Sequence, residues 1–336
     1  MPSRLAVFAA VLLGALPAVA AAAGAPRLGL PVACDMSRDC FVQNYVDQDP
    51  GPGAQDYTCG PLTYDGHDGT DIRVRSESEF RSGVAVLAAA DGVVRAVRDS
   101  MPDISFRDRA AAALQGLEAG NGVVLDHGDG WRTQYSHLRR GSIAVTPGQR
   151  VAAGTPLGLV GLSGMTEFPH LHFSVRHRGV TLDPFTGRPP GSGCAARDRD
   201  GALWDPAARD ALAYRAGGLL AAGFATQAPT LEAALDGAYD APPGRDAPAL
   251  VFWAAAWGLR AGDRETLRLT APDGSVLAET STEMPGDKAQ WIRFAGHRLR
   301  QGAWPPGRYR GEYRVLRGPA AASTTVVDVA RELDVE

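Results

Sequence analysis

Glu167-Phe168-Pro169-His170-Leu171-His172-Phe173 is the stretch that decides the fold. Pro169 marks an entry, after which apolar and imidazole side chains alternate. In a strand, residues i and i+2 point to one face. His170 and His172 therefore share one face, and Leu171 and Phe173 share the other. The apolar pair can pack inward while both imidazoles face a groove. A single such histidine is ordinarily a hydrogen-bonded core residue. Two side by side point to a metal or a catalytic pair, because neutral imidazole is a good zinc ligand.

Upstream, His67-Asp68-Gly69-Thr70-Asp71 sets a histidine and a carboxylate four apart. That spacing also fits one face of a helix. Gly66 and Gly69 oppose a helix, however, and Ile72-Arg73-Val74 alternates like a strand. The segment reads as a loop entering a strand, with His67 and Asp71 converging. Alone it would be an Asp-Gly turn with solvated side chains. Together with His172 it becomes His, Asp, His, the open three-ligand pattern of catalytic zinc. Spacing does not choose between His170 and His172 as the metal-binding member of the pair.

The first residues read as an address. Arg4 precedes an apolar run from Leu5 to Leu16, and the alanines around Ala20 offer cleavage sites, so residues 1–23 are expected to be a secretory signal peptide. The chain is 336 residues long with a formal charge of −4. Removing Arg4 leaves about −5. Mild acidity gives no case for nucleic-acid binding. No later apolar run reaches membrane length, and the longest, Ala249 to Leu259, reads as a buried strand. The expectation is an exported chain, periplasmic or secreted, without stable membrane insertion.

Cys34, Cys40, Cys59 and Cys194 are an even count in an exported chain, which implies disulfides. Three connectivities are possible. Spacing favours Cys34 with Cys40, a short local loop, and Cys59 with Cys194, tying the ends of a domain. A thiolate zinc site is the alternative, but there is no C-x-x-C pair.

Residues 24–60 show little periodicity and form a cysteine-bearing lead-in. From Tyr64 the pattern is β: a strand over Gly83 to Ala89, an Asp91-Gly92 hairpin turn, and a returning strand over Val93 to Val97. An alanine-rich, helix-prone insertion follows over Phe106 to Glu118. Further glycine-punctuated strands occupy 123–127, 131–138 and 157–161. Many short strands and few helices argue for an antiparallel β domain. After Pro184 the composition shifts. The expected organisation is 61–200 for this domain, 201–245 for a partly helical linker, and 246–336 for an immunoglobulin-like β-sandwich. Trp304 and Tyr309 are candidates for exposed aromatics there, with a wall-binding role or a structural cap as the two readings.

These pieces, in order, resemble the lysostaphin/LytM-type zinc metallopeptidases over about residues 64–185. The carriers are His67-x-x-x-Asp71, Ala88 to Val94, Asp126-His127-Gly128-Asp129-Gly130, Tyr135-Ser136-His137-Leu138 and His170-Leu171-His172-Phe173. The resemblance implies a β-sheet fold with a groove and hydrolysis of peptide bonds in peptidoglycan or glycine-rich peptides. It implies His67, Asp71 and His172 as ligands to Zn2+, and His137 and His170 as catalytic histidines acting with a zinc-activated water. Some members have lost ligands and activate other wall hydrolases; this chain keeps all five residues. The alternative function is a non-catalytic wall-binding protein or activator on the same fold.

Other polar residues read as structural. His127 precedes a Gly-Asp-Gly turn and reads as a strand-end histidine. His177 and His297 lie among arginines and read as solvated. Ser163 is not in a G-x-S-x-G elbow, because Met165 replaces the last glycine. Glu167 either tunes the site or is a solvated loop residue.

Overall fold

The computed structural model describes residues 24–108, 114–194 and 201–336. The expected signal peptide lies outside them, as do residues 109–113 of the helix-prone insertion. What is described of that insertion begins with a 3-10 turn at Phe106–Asp108.

The first unit is an antiparallel sheet. Its strands are β1 (Cys40–Asn44), β2 (Thr70–Val74), β4 (Gly92–Arg98), β5 (Asn121–Gly128), β6 (Trp131–Leu138), β7 (Arg150–Val151), β9 (His170–His177) and β10 (Val180–Leu182). The order is β1-β2-β9-β6-β5-β4-β7, with β10 also pairing with β9. A two-stranded sheet of β3 (Ala85–Leu87) and β8 (Pro156–Leu159) packs alongside. The short helix α1 (Glu77–Ser82) follows β2, opened by a capping box between Ser76 and Glu79.

The expected hairpin across Asp91-Gly92 does not form. Val86 of β3 pairs with Gly158, whereas β4 pairs with β5 and β7. Between them the backbone N–H of Ala89 donates to the Tyr135 hydroxyl at 2.8 Å instead of to a strand. Small buried alanines let the chain cross there from one sheet to the other.

The strand alternation puts chemistry and core on opposite faces. Leu171, Phe173 and Val175 of β9 are fully buried with Ile72 and Val74 of β2 and Tyr135 of β6. His170, His172, Ser174 and Arg176 occupy the other face, beside Asp71 and Arg73. The lead-in is not merely irregular: it supplies β1, which pairs with β2. Both disulfides have the connectivity favoured by spacing, Cys34–Cys40 and Cys59–Cys194.

The remaining chain carries α2 (Pro206–Ala211), β11 (Gly218–Ala225), α3 (Leu231–Leu235), β12 (Ala249–Leu259), β13 (Arg264–Thr270), β14 (Val276–Glu283), β15 (Lys288–Arg298), β16 (Gly307–Arg317) and β17 (Thr324–Val335). Two sheets, β11-β12-β15 and β14-β13-β16-β17, share a core around Phe252, Leu267, Tyr309 and Tyr313. Trp304 and Tyr309 correct the expectation of exposed aromatics. They are 4% and 0% exposed, and their polar tips donate to the carbonyls of Ala247 and Pro305. Each can therefore bury its ring without stranding a donor. Trp257 of β12 stacks on Phe41 of β1 with centroids 4.5 Å apart, joining the second unit to the edge of the first sheet.

Candidate metal centre

β2 and β9 pair with Asp71 opposite His172 and Arg73 opposite His170. This register, together with the loop before β2, gathers His67, Asp71 and His172. One potential ligand atom from each lies within 4.8 Å of the others. Asp71 Oδ1 is 3.1 Å from His67 Nε2 and 2.9 Å from His172 Nδ1, and the two nitrogens are 3.2 Å apart.

The surrounding hydrogen bonds fix which atoms face inward. His67 Nδ1 is 2.6 Å from the Tyr45 carbonyl, so it must donate, leaving the Nε2 lone pair inward. His172 is reversed: Nε2 donates to Asp68 Oδ1 at 3.2 Å, leaving Nδ1 inward. Asp68 is itself held by Arg176 at 2.7 Å. Asp71 Oδ2 accepts from Asn44 Nδ2 at 2.9 Å. Three acceptor atoms thus converge in a largely buried place, and only a proton or a cation between them resolves the repulsion. As a proton site, His172 is lowered by burial, but its hydrogen bonds to Asp68 and Asp71 more than reverse this, to about 9. The hydrogen bond from His172 in turn pulls Asp68 down to about 2. Burial would raise Asp71, yet His67 and His170 hold it well below the usual carboxylate range. Two imidazoles and a carboxylate are a donor set that fits zinc.

His170 and His137 stand beside this set, their ring centroids 4.7 Å apart. His170 Nε2 lies 3.4 Å from Asp71 Oδ1, and its Nδ1 lies 3.0 Å from the Phe168 carbonyl. His137 Nδ1 donates to the Ser163 carbonyl at 2.8 Å. Both rings therefore keep Nε2 free of the backbone. By strand alternation His137 should follow Tyr135 into the core. Its φ of 63° breaks that alternation, and its N–H leaves the ladder for the Ala119 carbonyl. Burial first, and then the neighbouring His170 and His172, push His137 well below the ordinary histidine value.

Ser163 is no nucleophile: its hydroxyl accepts from Asn121 N–H and donates to the Leu138 carbonyl, and it presents its own carbonyl to His137. Gly69 is needed for space, because a Cβ there would lie 2.5 Å from His172 Nε2. An open groove of about 390 Å³ lies over the site between Tyr64, Glu118, Met165 and Arg176. Tyr64, half-exposed at 54%, tilts its ring against His67.

The structure thus brings together His67, Asp71, His137, His170 and His172. His127 stands apart, bound to the Asp91 carbonyl and Thr133. Glu167 pairs with Arg107 at 2.8 Å rather than with a histidine. Two corrections concern the outer histidines: His177 stacks on Trp131 and His297 packs its edge against Trp304, so neither is simply solvated. Sequence reasoning missed Asn44, the Tyr45 carbonyl, Asp68 and Arg176. Asp68 and Arg176 carried a signal, since Arg176 continues the His170-His172 alternation. Asn44 and Tyr45 carried none, because β1 joins the site through sheet pairing 27 residues away from Asp71.

An antiparallel sheet with a buried His-Asp-His set suited to a divalent metal, and two further imidazoles in reach, defines the class of protein. Residues 65–184, rather than the whole chain, match Peptidase family M23, and this domain is of the lysostaphin/LytM type. Similar curated proteins include an uncharacterized metalloprotease of Haemophilus influenzae, 33% identical over 40% of this chain and 24% of that protein. The peptidoglycan DD-endopeptidase ShyA of Vibrio cholerae is 34% identical over 37% of this chain and 23% of its own. The murein hydrolase activator EnvC of Escherichia coli is 35% identical over 32% and 24%. The chain spans about a quarter of the length of these relatives.

Proposed function

We propose that this chain is a zinc-dependent endopeptidase that hydrolyses peptide cross-links of peptidoglycan after export. One observation carries the reading: three acceptor atoms of His67, Asp71 and His172 converge at 2.9–3.2 Å with two more imidazoles alongside. The likeness to ShyA supports the substrate class.

His67 Nε2, Asp71 Oδ1 and His172 Nδ1 would hold the metal. Zinc, when bound, supplies Lewis acidity toward a carbonyl oxygen and lowers the pKa of water toward neutrality. The rest belongs to the chain. Tyr45, Asn44 and Asp68 keep the ligand rings and carboxylate aimed. His137 is neutral at pH 7 because burial disfavours its charge, so its Nε2 can accept a proton. His170, anchored through Nδ1, offers a second Nε2 beside Asp71. Between them these two rings orient the attacking water, take its proton and return a proton to the leaving amine, and a protonated ring stabilises the oxyanion. Exclusion of bulk water from the buried side strengthens each interaction.

The likeness to EnvC motivates a second reading, a wall-hydrolase activator. The complete histidine set favours the enzyme. The test pairs zinc content with release of cross-linked muropeptides from purified peptidoglycan, for the chain and for His172→Ala. About one zinc per chain and cleavage are expected, both lost in the variant. Neither zinc nor cleavage from the unaltered chain would move the assignment to the activator.

A further inference from the structure

Arg73 lies two residues along β2 from Asp71, opposite His170, and so on the same face as the proposed ligands. It is only 6% exposed. Its guanidinium sits 4.0 Å over the Phe168 ring and donates to Gln43 Oε1 at 2.9 Å. Gln290 of β15, with its amide turned, accepts from both terminal nitrogens. These partners are neutral. Among the described residues no carboxylate lies within ion-pair distance of Arg73, and an uncompensated buried charge is costly.

Arg73 lines a cavity of about 290 Å³ that extends from Phe168 to α3 in the second unit. Seven buried side-chain polar atoms lack a hydrogen-bond partner among the described residues. Three of the seven belong to residues lining this cavity: Arg73 Nε, Arg75 Nε and Asp236 Oδ1. Two are donors on cations and one is an acceptor on a carboxylate. Glu77 and Glu232 add two further carboxylates, while Glu167 is neutralised by Arg107. Stranded groups of both signs in one cavity suit a ligand that carries both signs itself.

We propose that this cavity is a subsite for a zwitterionic amino-acid group, with its carboxylate on Arg73 and Arg75 and its ammonium on Asp236 and Glu77. The proposal deepens the endopeptidase reading and rests on it for the substrate. Phe168 and Pro169 of the cavity wall directly precede His170 in the chain, and diamino acids in wall peptides carry such groups.

The probe is diaminopimelic acid, titrated calorimetrically into the full chain. Pimelic acid, with carboxylates only, and cadaverine, with ammoniums only, are the controls. The zwitterion should bind at least about tenfold more tightly than either control. Arg73→Gln and Asp236→Asn should each weaken it by about tenfold or more. Asp236 lies on the opposite wall, so it keeps the test decisive if the Arg73 variant fails to fold. His172→Ala should bind the probe as the unaltered chain does. Absence of binding, binding no tighter than pimelic acid, indifference to Asp236→Asn, or loss in His172→Ala would each overturn the subsite. The two proposals fail separately. Zwitterion binding without wall cleavage by the unaltered chain sinks only the endopeptidase, and cleavage without zwitterion binding sinks only the subsite.

Discussion

Two buried carboxylates, one in each unit, are handled in opposite ways. Glu265 of β13 is 1% exposed and fully matched. Arg293 donates to its Oε1 through two nitrogens, and Trp291 Nε1 and Tyr313 Oη donate to its Oε2 at 3.2 and 3.1 Å. Asp71 is 3% exposed and has one neutral donor, Asn44, on Oδ2, while Oδ1 faces imidazole nitrogens. The first carboxylate is complete as it stands. The second has a place prepared for a positive charge that the side chains do not themselves provide except by protonating a histidine. Burial and ionisation alone do not mark a site; what marks it is which side of the charge balance is left open.

The sharpest way to break this contrast is to neutralise each carboxylate. Asp71→Asn should lower zinc affinity by more than about 100-fold, beyond the 10–100-fold typical of a lost outer partner. Its thermal stability without metal should fall by less than the loss at Glu265, because the protonated His172 keeps Asp68 as a partner. Equilibrium dialysis against a zinc buffer and a melting curve measure the two. Glu265→Ala should do the reverse. Removing one member of a buried pair costs about 3–5 kcal/mol, read by denaturant unfolding, with zinc stoichiometry of the folded fraction unchanged. If Glu265→Ala lost zinc while staying folded, the contrast between the two carboxylates would fail.

Asp68 sharpens the picture at smaller magnitude. It orients the His172 ring and is in turn held by Arg176. Asp68→Ala should weaken zinc binding by about 10–100-fold, while Arg176→Ala, one contact further out, should have the smaller effect. Equal losses in the two variants would mean that Arg176 touches the site by another route.

How far the sequence led depended on the range of the interaction. Alternation over His170 to Phe173 was legible because a strand's two faces are set by a local period. The Gly-rich approach to Asp71 was legible for the same reason, and the family resemblance selected His172 from its neighbour. Asn44 was illegible because nothing local says that a segment stapled by Cys34–Cys40 will lie beside β2. The Asp91-Gly92 turn was misleading because a turn signal does not say which strand comes back to pair. Trp304 and Tyr309 seemed exposed because their polar tips suit a surface, yet backbone carbonyls inside the sandwich serve those tips equally well. At His137 the departure was conformational: a positive φ moved a catalytic candidate out of the face its strand position assigns.

A third buried carboxylate tests the charge-balance argument where neutral donors, an amide and a backbone N–H, bond to the oxygens. Asp183 is 0% exposed and accepts from Gln48 Nε2 and from the Phe185 N–H. Burial, with a further push from Asp56, raises it to about 7. Its folded-state pKa lies above the unfolded value, so between about 4 and 7 the native chain binds the extra proton. Stability through this group is therefore greatest at the acid end and falls as pH rises to about 7, where the folded carboxyl finally ionises. In Asp183→Asn the amide oxygen accepts from the Phe185 N–H, and the Gln48 amide, turned over, accepts from the new Nδ2, so both contacts are kept and the ionisation is removed. The variant should match the parent near pH 4 and exceed it near pH 8 by on the order of 1–3 kcal/mol. Denaturant midpoints across that range measure it. A parent whose stability rises through the same window, with the rise abolished by Asp183→Asn, would show that this carboxylate is stabilised as a charge and that a nearby positive charge, not burial, governs it.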